Sequence, residues 1–466
     1  MASVNHTLPF SSLPLQDALL TNLTSLNFDN MTPIQAESLP LMLKGVDVIA
    51  QAKTGSGKTA AFGLALLNRL NTEHYATQAL VLCPTRELAE QVGHVLRRLA
   101  RLVPNVKILN LSGGIPMRPQ LDSLKHGAHV IVGTPGRVQK HIDAESLSLK
   151  HLQTLVLDEA DRMLDMGFED EIRRVISFCP KKRQTMLFSA TYPDEISALA
   201  KNLMRTPTHV TIRDTQTTLD ITQLFYEVSS QADKLLLLKK LLCQHQPTST
   251  LIFCNTKGQT TSLLARLNKE GFSTVALHGD MEQAARDRAM IRFANQSCSI
   301  LVATDVAARG LDIKDLPAVI NYDLAFDYDV HVHRIGRTGR AGSQGIALSL
   351  TTPHDAERLC AIEDTGFSIP WGDIRELNSH HTTIPKPDMV TLSIAAGRKD
   401  KIRPGDILGA LTQDAGLDAS DIGKIDISAL YAYVAIKQNQ LNKAYHFIKH
   451  GKLKGKTTRI NVMKGV

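Results

Sequence analysis

The sequence predicts an α/β protein: two tandem, doubly wound parallel-sheet domains followed by a small α+β domain. Three observations carry that expectation. A length of 466 residues exceeds one ordinary domain and suits about three. Through residue 350 the apolar runs are short, rich in Val, Ile and Leu, and free of polar alternation, as strands buried on both faces of a parallel sheet read. Charge is uneven: of a formal net charge of +7, residues 388–466 hold thirteen Lys and Arg against seven Asp and no Glu. A separate basic module suits a phosphate-rich ligand, the alternative being a solvated basic surface.

In the first domain (residues 1–212) the expected strands are 47–52, 79–84, 106–111, 129–134, 154–160, 185–191 and 209–212. Ten or more residues separate most of them, enough for crossover helices. After the polar stretch 213–220 the rhythm restarts at 223–229, 250–255, 274–279, 299–304, 318–323 and 345–350, giving a second domain over 213–370. Residues 371–387, with a Pro-containing end, read as a linker. The third domain (388–466) reads strand 390–394, helix 403–415, strands 424–427 and 431–436, helix 439–449 and strand 458–463. That is the order of a ferredoxin-like split unit, which RNA-recognition domains share with many unrelated modules.

No apolar run approaches the roughly 18 residues of a membrane span, and residues 1–16 lack the basic and apolar regions of a signal peptide. The six cysteines are scattered without a C-x-x-C pair, so reduced thiols in a cytoplasmic protein are expected rather than zinc or disulfides. Adjacent His380 and His381 read as loop residues.

The chemistry begins at AKTGSGKT (52–59), which ends one expected strand and opens a helix. Glycines at 55 and 57 let backbone N–H groups turn toward phosphate oxygens, and a helix N-terminus adds its positive end. Thr54, Gly55, Ser56 and Gly57 form the cradle, Lys58 reaches the outer phosphates, and Thr59 offers a hydroxyl to Mg²⁺. VLDEAD (156–161) follows another strand, at the end of a parallel sheet where ligands bind. There Asp158 is the candidate to hold the Mg²⁺ shell and Glu159 to orient and deprotonate a water. ATP and Mg²⁺ are the cofactors this pattern calls for.

With PTRELA (84–89), Gly113–Gly114, TPGR (134–137), SAT (189–191), ARGLD (308–312) and HRIGRTGR (333–340) in order, residues 10–350 resemble the DEAD-box RNA helicase family. The resemblance implies two RecA-like domains and an RNA-dependent ATP hydrolase. It implies that Phe28 stacks on adenine, with Phe10 as a further upstream aromatic, and that Gln35 bonds the adenine edge, for which an amide has both donor and acceptor. Asn27 stands where the family usually has Gly, and Asn tolerates unusual backbone angles. Arg337 and Arg340 resemble arginine fingers, whose guanidinium groups suit developing phosphoryl charge. Both lie in the second domain, so hydrolysis implies closure of the two domains on ATP. Asp312 resembles a ribose contact, and Ser189 and Thr191 the elements coupling ATP state to RNA. Arg86, Gly114, Thr134, Arg137, Asn255, Gly279 and Thr304 would line an RNA track by backbone and phosphate contact rather than base readout.

The last domain resembles the RNA-binding module of the DbpA subgroup, carried by RPGDILGALT (403–412), IGKIDI (422–427), YAYVAI (431–436) and GKLKGKTTRI (451–460). That implies attachment to 23S rRNA during large-subunit assembly. The residues themselves agree in part: an RNA-recognition sheet stacks aromatics on its central strands, and here Tyr431 and Tyr433 share one strand while VTLSI has none. The cluster Lys452, Lys454 and Lys456 suggests an edge grip instead. Rival readings are a general RNA-stimulated ATPase or chaperone, an ATP-dependent RNA clamp, and a DNA translocase.

Overall fold

The computed structural model describes residues 8–52, 55–192, 194–212, 221–308, 315–339, 344–377 and 383–463, except the side chain of Asp329. The chain forms two compact units, one holding the first sheet and the other holding the second sheet with the C-terminal domain.

In the first unit, β1 (Val48–Gln51), β2 (Ala79–Leu82), β3 (Ile108–Leu111), β4 (Val130–Gly133), β5 (Thr154–Asp158), β6 (Gln184–Ser189) and β7 (Thr208–Thr211) make one parallel sheet in the order β3-β4-β2-β5-β6-β1-β7. Alternate side chains feed two cores. Val81, Val156 and Phe188 join Phe62 on one face, while Leu80, Leu155 and Leu187 join Met163 on the other. With both faces covered, the strands can be continuously apolar, as the sequence has them. The helix Arg86–Leu99 shows how local chemistry sets the ends. Thr85 Oγ1 caps it by accepting from Leu88 N at 3.2 Å, and Arg97 and Arg98 sit in its last turn, where cations suit the dipole.

In the second unit, β8 (Ile221–Glu227), β9 (Thr250–Cys254), β10 (Thr274–Leu277), β11 (Ile300–Thr304), β12 (Ala318–Asn321) and β13 (Gly345–Thr351) form a parallel sheet in the order β10-β11-β9-β12-β13-β8. Residues 371–377, read from sequence as part of a linker, run along this domain. Trp371 bridges Phe225, Gly372 N donates to Phe225 O, and Ile374 and Leu377 pack on its core.

The C-terminal domain is an antiparallel sheet, β15-β16-β14-β17, built from β14 (Met389–Ile394), β15 (Ile422–Ile427), β16 (Ala432–Lys437) and β17 (Ile460–Val462). Leu392, Ile394, Val434 and Ile436 face a core shared with Ile407 and Ile448 of its helices. Alternation puts Thr391 and Ala435 on the opposite face, and both are buried there too. Thr391 Oγ1 lies 2.6 Å from Ser297 Oγ of the second domain. The outer sheet face of this module thus packs on the neighbouring domain.

Candidate functional site

Five strands of the first sheet end on loops that carry candidate site residues. β1 leads to Gly55–Lys58, β2 to Arg86, β4 to Thr134, β5 to Glu159 and β6 to Ser189–Thr191. Because the strands are parallel, these loops share one end of the sheet.

The phosphate loop turns through positive φ at Gly55 (90°) and Gly57 (97°), and the helix Lys58–Arg69 starts directly after it. A Cβ on Gly57 would stand 2.5 Å from Gln35 Nε2, on a residue held at φ 97°, so glycine is strongly favoured there. Thr32 Oγ1 donates to Ser56 O at 2.8 Å and Gln35 Nε2 to Gly57 O at 3.1 Å. Gln35 Oε1 accepts from Thr32 N at 2.9 Å. The glutamine therefore braces the loop, and each amide atom retains a second bonding position for a ligand. Phe28 is 37% exposed, with the Arg98 guanidinium 5.6 Å from its ring centroid. Asn27 sits at φ 57°, the left-handed conformation anticipated where the family usually has Gly. Phe10 is a buried core residue whose N–H donates to Asp29 O.

Lys58 is buried and donates to Ala52 O at 2.6 Å. Asp158 is buried beside it, and its Oδ1 has no hydrogen-bond partner. Burial, opposed by Lys58 and reinforced by Glu159, pushes the Asp158 carboxyl up to about 7. A buried, orphaned carboxylate beside the phosphate-loop lysine fits the ligand set of a divalent cation, and the half-buried Thr59 hydroxyl stands in the first turn of the adjoining helix.

Glu159 adopts φ 54°, rare for a non-glycine residue and typical of strained functional turns. Its Oε2 pairs with Arg162 Nη1 at 2.7 Å, both side chains buried. Asp161 reaches across to the end of β6. Its Oδ2 accepts from Ala190 N and Thr191 N at 3.1 Å each and from Thr191 Oγ1 at 3.2 Å. Burial alone would raise its pKa, but these Thr191 bonds and the nearby Arg162 outweigh it and hold the carboxyl below its ordinary value. Ser189 is fully buried at the strand end. Sequence reasoning singled out Ser189 and Thr191 but not Asp161 or Thr32. Asp161 sat in the acidic motif itself, yet its partner lies thirty residues away.

On the RNA-track candidates, Arg86 pairs with Glu90 at 2.9 Å. Thr134 N-caps the helix Pro135–Asp143. Arg137 is held by Gln120 Oε1 at 2.8 Å and Ile115 O at 3.0 Å, and Gly114 is exposed at φ 75°.

In the second domain Asn255 and Gly279 follow β9 and β10 and Thr304 ends β11, at one end of that sheet. Gly279 is exposed, whereas Thr304 is buried. Asn255 is tied on three sides: its N–H donates to Asp323 Oδ2, its Nδ2 to Leu324 O, and its Oδ1 accepts from Arg334. Arg334, which sequence reasoning passed over within HRIGRTGR, is the hub. It is 1% exposed and grips Asp305 with two bonds of 2.7 and 2.6 Å. It also donates to Asn321 Oδ1 and Asp323 O and lies over the Phe253 ring. Arg337, one helical turn on, is buried. Thr54, Asp312 and Arg340, like His380 and His381, fall outside the described residues. In the C-terminal domain Lys454 pairs with Asp406 at 2.8 Å and Lys456 with Asp400 at 3.7 Å, while Lys452 is exposed. Among the described residues no helix is long and apolar enough to cross a membrane.

These features agree with known proteins. Residues 32–199 match the DEAD/DEAH box helicase family, 233–342 the helicase conserved C-terminal domain, and 391–462 the DbpA RNA binding domain. The chain is 52% identical to the ATP-dependent RNA helicase DbpA of Escherichia coli K12 across 98% of its own length and 99% of that protein's. It is 44% identical to the DEAD-box ATP-dependent RNA helicase CshA of Bacillus cereus, over 76% of this chain and 68% of that one. Among solved structures, S. cerevisiae Dbp5 bound to RNA and ADP BeF3 is 33% identical with a TM-score of 0.71, covering 78% of this chain and 95% of Dbp5. The chain belongs to the DEAD-box ATP-dependent RNA helicases, in the DbpA subgroup, and is an ATP hydrolase.

Proposed function

We propose that this helicase remodels 23S rRNA during assembly of the large ribosomal subunit, in the cytoplasm, with its C-terminal domain as the element that selects the RNA. The carrying observation is the match of residues 391–462 to the DbpA RNA binding domain, joined to the net positive charge of residues 388–466. The outer sheet face of that domain is closed at Thr391 and Ala435. We therefore assign the grip to the edge bearing Lys452, Lys454 and Lys456. The ion pairs of Lys454 and Lys456 are exposed enough to exchange a carboxylate for phosphate at little cost.

Within the core, Phe28 and Gln35 would receive the adenine. The backbone from Gly55 to Gly57 and the Lys58 ammonium would hold the phosphates, Lys58 turning from Ala52 O to do so. Thr59 and the orphaned Asp158 carboxylate would hold Mg²⁺. Held there, Mg²⁺ would supply positive charge against the phosphates. Glu159, strained at φ 54° and held by Arg162, orients the attacking water and takes its proton. Arg337 and Arg340 supply guanidinium donors to the transferred phosphoryl group. Asp161 carries the state of the acidic loop to Thr191 through its three hydrogen bonds.

Filter binding of the full chain to 23S rRNA fragments and to unrelated RNA of equal length tests the assignment. The expected result is a preference for one rRNA fragment that is lost in the Lys452→Ala, Lys454→Ala, Lys456→Ala triple variant. Equal affinity for all RNAs would favour a general RNA-stimulated ATPase. Unchanged affinity in the triple variant would sink the edge grip.

A further inference from the structure

At the edge of the second sheet, a cavity of about 390 Å³ is lined by β10, by the helices Lys257–Lys269 and Gln283–Ala294, and by Met463 of the C-terminal domain. Its size is that of a small-molecule site. Leu264, Val275, Met281, Ala289 and Met463 give it apolar walls. Three of its lining residues carry a buried side-chain atom with no hydrogen-bond partner in the protein: Thr274 Oγ1, His278 Nδ1 and Arg292 Nε. Arg292 is only 8% exposed. Arg288 lines the same cavity, and among the described residues no carboxylate does.

A buried guanidinium N–H without an acceptor is costly, and a protein seldom leaves buried polar atoms unpaired in three residues around one apolar space. The unmet demand is specific. Arg292 offers a donor and a positive charge, Thr274 and His278 can donate or accept, and the rest of the wall is aliphatic and thioether. We infer that this cavity is a binding site for a small organic anion: a flat apolar body carrying one carboxylate, sulfonate or phosphate that meets Arg292. Because Met463 belongs to the C-terminal domain and the remaining lining to the second core domain, an occupant touches both. It braces their junction beside the Ser297–Thr391 hydrogen bond. None of these residues takes part in the nucleotide or RNA contacts assigned above, although His278 adjoins Gly279 in the chain.

The test uses 8-anilinonaphthalene-1-sulfonate as probe, on the full chain with its nucleotide site saturated by a non-hydrolysable ATP analogue. The expected result is saturable fluorescence at one site per chain, at least tenfold weaker in Arg292→Met and absent in Ala289→Trp, which fills the cavity but keeps the arginine. With ¹³C-methyl methionine labelling, the signals of Met281 and Met463 should move on titration. Binding that survives both substitutions, or methyl shifts that spare Met281 and Met463, would overturn the inference. So would the lack of any saturable signal from the folded wild type.

Discussion

His331 gives the second domain a built-in acid sensitivity whose size can be worked out. The imidazole is buried among Phe225, Tyr328 and Phe367, with ring centroids 5.6 to 6.4 Å away. Its Nδ1 has no partner, and its Nε2 is 3.4 Å from Gln223 Oε1. Burial first, and the Arg334 cation second, lower its pKa to about 4 from 6.5. The folded domain therefore holds the ring neutral between those values while the unfolded chain protonates it. The unfolded state binds more protons there, so stability is full above pH 6.5 and falls as the pH drops toward 4. At about 1.4 kcal/mol per unit the full traverse is worth roughly 3 kcal/mol, and roughly 2 kcal/mol is lost by pH 5. His331→Phe suits the aromatic surroundings and does not titrate. Its stability relative to wild type should therefore improve by about 2 kcal/mol between pH 7.5 and pH 5. Other titrating groups cancel in that difference. Hydrogen exchange of the Tyr328–Ile335 helix in urea reads the domain by itself, which a multidomain chain requires. A difference that stays flat within about 0.5 kcal/mol would refute the buried, neutral histidine.

Three further outcomes are expected. Gly57→Ala puts a methyl 2.5 Å from Gln35 Nε2 at φ 97°; with about 1–2 kcal/mol of left-handed strain added, the KM for ATP should rise about tenfold, and an unchanged KM would contradict the role given to the loop. Asp161→Asn keeps one acceptor but loses the charge that three donors share. It should cost about 2 kcal/mol locally and lower RNA unwound per ATP hydrolysed; equal losses in unwinding and hydrolysis would argue against coupling. Arg334→Met leaves Asp305 and the Asn255 amide oxygen without their cation. By the cost of breaking a buried pair it should destabilise the second domain by about 3–5 kcal/mol in denaturant unfolding, and a loss below about 1 kcal/mol would remove the hub from the account.

Much of the fold was legible because parallel strands buried on both faces must be apolar throughout. TLVLD at β5 and ILVAT at β11 have no polar residue before their last position, except a buried threonine at the start of β5. The phosphate loop was legible because its chemistry is local: Gly57, Lys58 and Thr59 are neighbours in sequence and in space. What stayed hidden depends on long-range pairing. Nothing near Asp161 announces Thr191, and nothing near Arg334 announces Asn255, seventy-nine residues earlier. Asn255 read as a phosphate-track residue, yet its side-chain amide is spent inside its own domain. The closed sheet face of the C-terminal domain was half visible: missing aromatics argued against stacking, but the burial of Thr391 and Ala435 against the second domain has no signal in their own strands.

The central claim is that an RNA-dependent ATPase core is directed to 23S rRNA by its C-terminal domain. Steady-state ATP hydrolysis by the full chain, with no nucleic acid, with DNA, with generic RNA and with 23S rRNA, tests it most directly. The account predicts low basal turnover, none added by DNA, and stimulation by 23S rRNA well above that by generic RNA. Equal stimulation by every RNA would contradict the specificity, and stimulation by DNA as strong as by RNA would contradict the substrate itself.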